Sequence, residues 1–136
     1  MAKRKKRRKP NLKSPNSMTW RNKADDAWGK AITAVGKCEV CGTTDKQLHP
    51  HHLIGRTNLR YRHTPENGIC LCATHHTLGG YNVDICAHGD LSQVSRFLVW
   101  LSCYKNNQYS WWNDHRQDKR QREESYEEAY RRLTGE

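Results

Sequence analysis

The stretch from Cys38 to His76 decides the fold. It opens with Cys38-Glu39-Val40-Cys41 and closes with Cys72-Ala73-Thr74-His75-His76. Each end carries two candidate ligands separated by two residues, so each can supply two ligands from one tight turn, and together they can close one tetrahedral site. The spacing therefore predicts a closed structural zinc site made of Cys38, Cys41, Cys72 and His75.

Two alternatives accompany this site. The cysteines could be buried free thiols, although two matched pairs argue against that reading. His76 could replace His75 as the fourth ligand, but the two-residue spacing favours His75. A structural zinc ion can contribute roughly 10–16 kcal/mol of apparent folding free energy, so the fold would depend on it. Cys70, Cys86 and Cys103 are interpreted as packing residues.

Length and composition indicate one small domain with tails. The chain has 136 residues, of which 35% are apolar. Its hydrophobic core must therefore be small, and a structural metal ion would add stability to it. The formal net charge is +10, and residues 1–13 hold eight basic residues and no acid. Residues 1–17 are therefore predicted to be a disordered basic arm. The arm could be a solubilising tail, a phosphate-binding arm or, in a eukaryotic host, a nuclear localisation signal.

The six cysteines are interleaved with histidines, which favours metal binding in a reducing compartment over disulfides. The basic beginning lacks an apolar signal stretch, and the sequence has no run of about eighteen apolar residues. We therefore expect a cytoplasmic protein without a membrane partner.

Hydrophobic spacing predicts an α+β fold. A helix is expected from Met18 to Val35, ended by Gly36, and short strands are expected at Gln47–Ile54 and Gly68–Leu71. A short helix should follow from Ala73 and stop at Gly79-Gly80. Asp90 and Gln93 form a capping-box pattern ahead of a helix with a core-facing stripe. That stripe comprises Leu91, Val94, Phe97, Leu98, Leu101 and Tyr104.

One further helix is predicted from Ser110 to Leu133, mostly charged in its second half. We expect three segments: a basic arm at 1–17, a main domain at 18–108 and a charged C-terminal helix at 109–136. The last helix could pack back weakly or bind a protein partner.

The adjacent residues His51 and His52 should point to opposite faces of their strand. One of them can then hold a metal ion while the other acts as a general base on water. His76, just past the zinc turn, is a natural second ligand. Two imidazoles leave positions on a divalent cation open for water and phosphate oxygens, which suits phosphodiester hydrolysis. His49, His63 and His88 are placed outside this site, although His63 could reach phosphate.

The order His51-His52, Asn67, His76 resembles the His-Asn-His motif of the HNH nucleases. Leu48-His-Pro-His-His-Leu-Ile and Asn67-Gly-Ile-Cys-Leu-Cys-Ala-Thr-His-His resemble the subgroup framed by two zinc-binding pairs, although His75 stands where that subgroup has its last cysteine. The similarity covers residues 38–76 closely. It extends loosely through Ala87-His88-Gly89 and the Phe97–Trp100 region, which resemble small bacterial and phage members.

The resemblance implies a ββα-metal core of two short antiparallel strands and a helix, stapled by zinc and flanked by helices. It implies that His51 and His76 hold the catalytic divalent cation (Mg²⁺, Mn²⁺ or another transition metal). His52 would be the general base, and Asn67 would brace the loop that orients it. His52 could otherwise be an ordinary surface histidine, and Asn67-Gly68 an ordinary turn.

The expected function is that of a metal-dependent DNA endonuclease. Arg56, Arg60 and Arg62 could clamp the DNA backbone or be solvated loop residues, and Lys5 and Arg7 of the arm could bind phosphate. A non-catalytic zinc module that binds nucleic acid is the main rival. A recombination or packaging accessory factor, active only with a partner, is a third possibility.

Overall fold

A computed structural model describes residues 14–80 and 82–136. Residues 1–13, which include the candidate phosphate-binding residues Lys5 and Arg7, lie outside the described part. The main elements, in chain order, are α1 (Met18–Thr33), β1 (Leu48–His52), β2 (Gly68–Cys72), α2 (Leu91–Tyr104), α3 (Asn106–His115) and α4 (Tyr126–Thr134). A 3-10 turn at Pro65–Asn67 precedes β2, and a single π-helical turn at Thr74–Leu78 follows it.

The predicted α+β class is confirmed, with a two-stranded antiparallel sheet at its centre. The register pairs Leu48 with Cys72 at one end of the sheet and His52 with Gly68 at the other. Both strands have a free edge in a sheet of two, so β1 accommodates Pro50 without losing a ladder hydrogen bond to a third strand. The strand that is buried along its whole length is β2, at every position from Gly68 to Cys72.

Helix α1 begins where the Ser17 hydroxyl accepts a hydrogen bond from the Trp20 amide, an N-cap that the sequence analysis did not single out. It ends at Thr33, and Gly36 then turns the chain with a φ of +74°. The helix buries Ala24, Ala27 and Trp28. Ala31 is exposed, and so is Val35, the predicted last residue of this helix, which lies beyond its observed end.

The sheet packs directly onto α1 at Gly68. A Cβ atom at this position would lie 2.3 Å from the Ile32 Cδ1 atom and 2.7 Å from the Trp28 ring. The Trp28 Nε1–H group also donates a 2.9 Å hydrogen bond to the Thr64 carbonyl, just ahead of β2. The absence of a side chain at Gly68 therefore sets how closely helix and hairpin approach each other.

Helix α2 begins as predicted, with a capping box between Asp90 and Gln93. Its Phe97 and Leu101 join the core, whose other buried members are Cys38, Ile69, Leu71, Cys72 and Ala87. Leu91 and Tyr104, which were expected to face the core, are 84% and 75% exposed because they stand at the two ends of the helix.

The prediction of one helix from Ser110 to Leu133 is wrong, because residues 116–125 are irregular and separate α3 from α4. The loop that follows β1 binds the backbone carbonyls of this segment. Asn58 Nδ2 donates to the Asp118 carbonyl at 2.9 Å, and Arg60 Nη1 donates to the Gln121 carbonyl at 2.9 Å. A continuous helix would need those carbonyls for its own hydrogen bonds.

Helix α4 packs against α1 of the same chain. Ala129 is fully buried, and the rings of Trp20 and Tyr130 lie 5.5 Å apart. The apolar side of α4 is thus covered within the domain, while a protein partner for this helix stays a prediction. None of the helices in the described residues has both the length and the apolar content needed to cross a membrane.

Candidate functional site

Cys38, Cys41, Cys72 and His75 form the first group of metal-ligand atoms. All four ligand atoms lie within 4.8 Å of one another. The Cys72 Sγ and His75 Nδ1 atoms are 3.2 Å apart, and the Cys41 and Cys72 Sγ atoms are 3.9 Å apart. Bonds to zinc of 2.0–2.3 Å in a tetrahedron put ligand atoms roughly 3.5 Å apart, so the group fits a closed four-ligand site. The group has the composition predicted from the spacing, with His75 rather than His76 in it.

Backbone turns position the first group. The Cys38 amide donates to the Thr43 carbonyl at 3.0 Å, and the Gly42 amide donates to the Cys38 carbonyl at 2.8 Å, with φ of +73° at Gly42. Burial raises the pKa of the Cys38 thiol, but hydrogen bonds from nearby backbone amides outweigh it and hold the pKa below its ordinary value. Cys38 is therefore inclined toward the thiolate form that binds metal.

The other three cysteines lie outside this group. Cys70 and Cys86 are fully buried, as expected of packing residues. Burial raises the pKa of the Cys70 thiol to about 11, which keeps it neutral. Cys103 is exposed, so its prediction as a packing residue is wrong.

His51, His76 and His88 form a second group. One ring nitrogen from each lies within 4.8 Å of those of the other two. His51 is 7% exposed, and its Nδ1 atom has no hydrogen-bond partner among the described residues. A buried nitrogen without a partner costs free energy, and a bound cation is a group that would satisfy it. The sequence prediction that His51 and His76 come together agrees with this geometry, but the exclusion of His88 was wrong.

Backbone pairing brings His88 into the second group. The Ala87 amide donates to the His75 carbonyl at 2.8 Å, and the His88 amide donates to the His76 carbonyl at 2.9 Å. The buried Gln93 side chain fixes the same loop by donating to the Val83 carbonyl at 2.9 Å. Spacing along the sequence gives no signal of this pairing; only the capping box that starts α2 just after His88 hinted at a fixed loop.

His51 and His76 are neutral at pH 7. Burial, with smaller contributions from His88 and other neighbouring histidines, lowers the pKa of His51 to about 3 and that of His76 to about 4. Neutral imidazoles offer a lone pair to a cation without first losing a proton.

His49 lies beside the second group and was also placed outside the site by the sequence analysis. Its Nδ1 atom is 3.0 Å from the Nδ1 atom of His76. The two rings meet edge to face, with centroids 5.1 Å apart.

His52 points to the opposite face of β1, as alternation along a strand predicts. Its ring stacks on Trp28, with centroids 3.8 Å apart and planes 9° apart. Its Nε2 atom lies 2.9 Å from the Arg62 carbonyl, which can only accept, so Nε2 carries the proton and Nδ1 keeps a lone pair. Burial lowers the pKa of His52, and the ring is neutral at pH 7.

Asn67 braces the loop that supplies the Arg62 carbonyl. It is fully buried, and its Oδ1 atom accepts from the Ile54 amide at 2.6 Å. Its Nδ2 atom donates to the carbonyls of Ile54 at 2.9 Å and Tyr61 at 3.0 Å. One amide thus fixes both ends of the loop between β1 and the residues that contact His52.

Asp25 on α1 binds the same loop from outside and was not found from the sequence. It accepts from Arg62 Nε and Nη2 at 2.7 and 2.8 Å and from His63 Nε2 at 2.6 Å. Burial opposes ionisation of Asp25, but the Arg62 and His63 hydrogen bonds hold its pKa below the ordinary value. Its position on a predicted amphipathic helix gave no signal of this contact.

Arg62 and His63 cannot serve as surface contacts. Arg62 is 7% exposed and His63 is 1% exposed. The prediction that Arg62 clamps a DNA backbone is therefore wrong, and so is the idea that His63 reaches phosphate.

The other two loop arginines differ from each other. Arg60 lies 3.6 Å from an Asp118 carboxylate oxygen and 3.7 Å from one of Glu123, so its charge is locally balanced. Arg56 is exposed on the loop. Of the three, Arg56 is best placed to meet a phosphate.

The chain was compared with protein-family models, curated proteins and solved structures, and none of them matches it significantly. The residues of the site are therefore assigned from their chemistry and geometry. The hairpin and the segments around it contain a closed Cys3His group, an open group of three histidines, and His52, which is held on the opposite face of β1.

Proposed function

We propose that the chain is a metal-dependent endonuclease of HNH type that hydrolyses phosphodiester bonds in DNA. The observation that carries this proposal is the different surroundings of the adjacent residues His51 and His52. They are consecutive residues, so their Cα atoms are about 3.8 Å apart. One lies in a group of three ligand nitrogens, and the other is held by a carbonyl with one ring nitrogen left to accept a proton.

His52 acts as the general base. The Arg62 carbonyl accepts its Nε2–H group and so fixes both the tautomer and the ring orientation. Nδ1 then removes a proton from the attacking water, and the stack on Trp28 prevents the ring from turning away. Asn67 is a positioning residue, because it acts only through the loop that carries the carbonyl.

His51 and His76, with His88 added by the structure, would hold the divalent cation. Three ligands leave at least one coordination position for water or phosphate oxygen, unlike the closed four-ligand group. When bound, such a cation stabilises the charge that develops on the phosphate and on the leaving oxygen.

The Cys3His group supports this site as a structural zinc centre. Cys72 ends β2, and His75 and His76 follow it in the π turn. An ion on the first group would therefore fix the turn that presents His76, as a structural zinc ion does in other small domains.

Charge supports nucleic acid as the substrate. The formal net charge is +10, of which residues 1–13 carry eight positive charges. Such a segment gains affinity for DNA by releasing condensed counterions, and the affinity falls steeply with salt. Exposed Arg56, on the loop that also holds His52, is a further candidate for a backbone contact.

The test is cleavage of supercoiled plasmid by zinc-loaded protein with Mg²⁺, Mn²⁺, Co²⁺ or Ni²⁺, compared with EDTA. His52→Ala and His52→Phe should both abolish nicking, and the second keeps a ring against Trp28. The matched control is Thr77→Ala, an exposed position on the same π turn as His76.

Nicking by His52→Phe at the wild-type rate would refute the assignment of the base. DNA binding without cleavage under any cation would favour the non-catalytic zinc module instead. Activity that appears only with an added partner protein would favour the accessory factor.

A further inference from the structure

We infer that the cavity between the loop after β1 and the segment joining α3 to α4 binds the phosphodiester backbone of a nucleic acid. Arg116 and Lys119 make the contacts, and Arg122 is a fixed positive charge in the wall. None of the described residues that line the cavity belongs to either group of metal ligands. The inference rests on the proposed function only for the choice of DNA as the nucleic acid, and binding can be measured without cleavage.

Two distant segments form the walls of this cavity, whose volume is about 800 Å³. The loop after β1 forms one wall, and the irregular segment 116–125 forms the other. Hydrogen bonds join the two walls: Asn58 Nδ2 donates to the Asp118 carbonyl at 2.9 Å, and Arg122 Nη1 donates to the Leu59 carbonyl at 2.7 Å. The cavity is therefore held open by the fold and does not need a ligand to form.

Arg122 places a buried positive charge in the cavity wall. Its side chain is only 9% exposed, and its Nε atom donates to the Glu124 carbonyl at 2.6 Å. Its Nη2 atom is buried and has no hydrogen-bond partner among the described residues; the Glu124 carboxylate lies 3.6 Å away. Burial lowers the pKa of this guanidinium, because its charge has lost contact with water.

The charges next to Arg122 do not neutralise it. Arg132 donates to both carboxylate oxygens of Glu124, at 2.8 and 2.9 Å. Arg62 donates to both oxygens of Asp25 in the same way. Three guanidinium groups thus share two carboxylates, which leaves one positive charge beside the cavity. Buried charges are usually paired, and a phosphate group in the cavity would supply the missing anion.

Arg116 and Lys119 stand at the rim of the cavity with their charges unpaired. Both are exposed lining residues, and neither forms an ion pair with a carboxylate in the described part of the chain. The other carboxylates of the lining are already engaged by arginines: Asp118 with Arg120 at 2.7 Å, and Glu123 with Arg60 at 3.7 Å. The two free rim cations can therefore meet phosphate groups.

The attachment of the N-terminal segment favours a nucleic-acid strand over a small phosphate compound. Asn16 lines the same cavity, and its side-chain oxygen accepts from the Tyr126 amide at 3.3 Å. The Pro15 carbonyl accepts from the Glu127 amide at 3.0 Å. Residues 1–13, with their eight basic residues, are thus joined to the fold beside the cavity. A strand of many phosphates can use the cavity and this segment together, whereas a single phosphate cannot.

Fluorescence anisotropy of a short DNA duplex tests the site, with zinc-loaded protein, no added divalent cation and a series of salt concentrations. The double variant Arg116→Ala/Lys119→Ala should weaken binding roughly tenfold. It should also reduce the slope of log affinity against log salt concentration by about 2, because each lost phosphate contact removes about 0.9. Thermal unfolding of each variant checks that the fold is intact.

The matched control is the double variant Lys30→Ala/Arg96→Ala, which removes two exposed positive charges outside the cavity. Its salt slope should stay close to that of the wild type. Equal losses of affinity and slope in the two double variants would show that only net charge matters, and would overturn the inference.

Two further measurements identify the occupant. Titration with the duplex should shift the backbone amide NMR signals of Leu59, Lys119 and Arg122, and unshifted signals would overturn the inference. Inorganic phosphate and thymidine monophosphate at about 1 mM should not displace the duplex, because each offers a single phosphate group. Displacement by either at that concentration would indicate a site for small phosphate compounds and refute the assignment to a strand.

The cavity and the proposed nuclease can fail separately. A protein whose rim variant loses affinity and salt slope, but which never nicks plasmid with any cation, would support the cavity and refute the nuclease. A protein that nicks plasmid, but whose rim variant binds the duplex as the wild type does, would keep the nuclease and overturn this inference.

Discussion

His75 and His76 are consecutive residues of one π turn, yet their imidazoles lie in two different groups of metal ligands. His75 Nδ1 is 3.2 Å from Cys72 Sγ, whereas the His76 ring lies 5.2 Å from that of His51. In an α-helix, neighbouring side chains diverge by about 100°, and the wider π turn likewise presents adjacent residues to different sides. One turn can therefore serve both a closed structural site and an open one.

Alanine substitution at His75 and at His76 should each remove a different metal ion. His75→Ala should lower the zinc content and the melting temperature together, as should Cys38→Ser, because each removes a ligand of the closed group. His76→Ala should keep the zinc and most of the stability but lose the second cation. Zinc analysis by mass spectrometry with thermal unfolding would check this. Equal zinc loss from both alanine variants would show that the two groups are not separate.

Asn67→Ala should destabilise the protein by about 3 kcal/mol and reduce nicking as well. The substitution leaves the Ile54 amide and carbonyl and the Tyr61 carbonyl without their partner in a buried setting. Urea unfolding measures the stability. Asn67→Asp keeps the acceptor for the Ile54 amide but loses both donated bonds, so it should destabilise too. A fully stable Asn67→Asp variant would contradict the bracing role of the amide.

Asp25→Asn should cost about 3 kcal/mol, because it leaves the Arg62 guanidinium without its charged partner. Nicking should also fall, since Arg62 supplies the carbonyl that holds His52. The matched control is Asp26→Asn on the same helix, which breaks an exposed pair with Lys30 and should change stability by less than about 1 kcal/mol. Similar losses in the two variants would argue against a special role for Asp25.

The stability of the domain should depend on pH through His63. Burial lowers the pKa of this ring from its ordinary value of 6.5 to about 4. Between those pH values the unfolded chain binds a proton that the folded chain excludes, so the free energy of unfolding falls as the pH decreases. The contribution of His63 is fully present above pH 6.5 and is lost by about pH 4.

His63→Gln isolates this contribution, because the other titratable groups are the same in both proteins. The difference in unfolding free energy between the wild type and His63→Gln should shrink by at most about 3 kcal/mol from pH 7 to pH 4. Urea unfolding across this range measures it. A difference that does not vary with pH would show that His63 is not held neutral.

The sequence allowed prediction of those parts of the site that depend on local spacing. Two-residue spacing within each ligand pair identified Cys38 and His75 as members of one group. Alternation along a strand predicted opposite directions for His51 and His52. These patterns are visible because a turn or a strand of a few residues fixes them.

The remaining parts depend on contacts between distant segments. His88 enters its group through backbone hydrogen bonds to the π turn, which any residue types could form. Asp25 meets Arg62 only after α1 packs onto the hairpin. The break between α3 and α4 likewise depends on a distant loop, whose Asn58 and Arg60 side chains donate hydrogen bonds to the carbonyls of Asp118 and Gln121. The spacing of apolar residues in the sequence gives no sign of these hydrogen bonds.

The contact of Gly68 with Ile32 and Trp28 restricts how this domain can vary. Even the single methyl group of alanine would overlap the Ile32 side chain. Gly68 also pairs with His52 across the sheet, so any displacement there would pull the His52 ring away from Trp28 and the Arg62 carbonyl. A saturation library at this codon, selected for the proposed nuclease activity, should return glycine almost exclusively, because a smaller residue in place of Ile32 would still leave the overlap with the Trp28 ring.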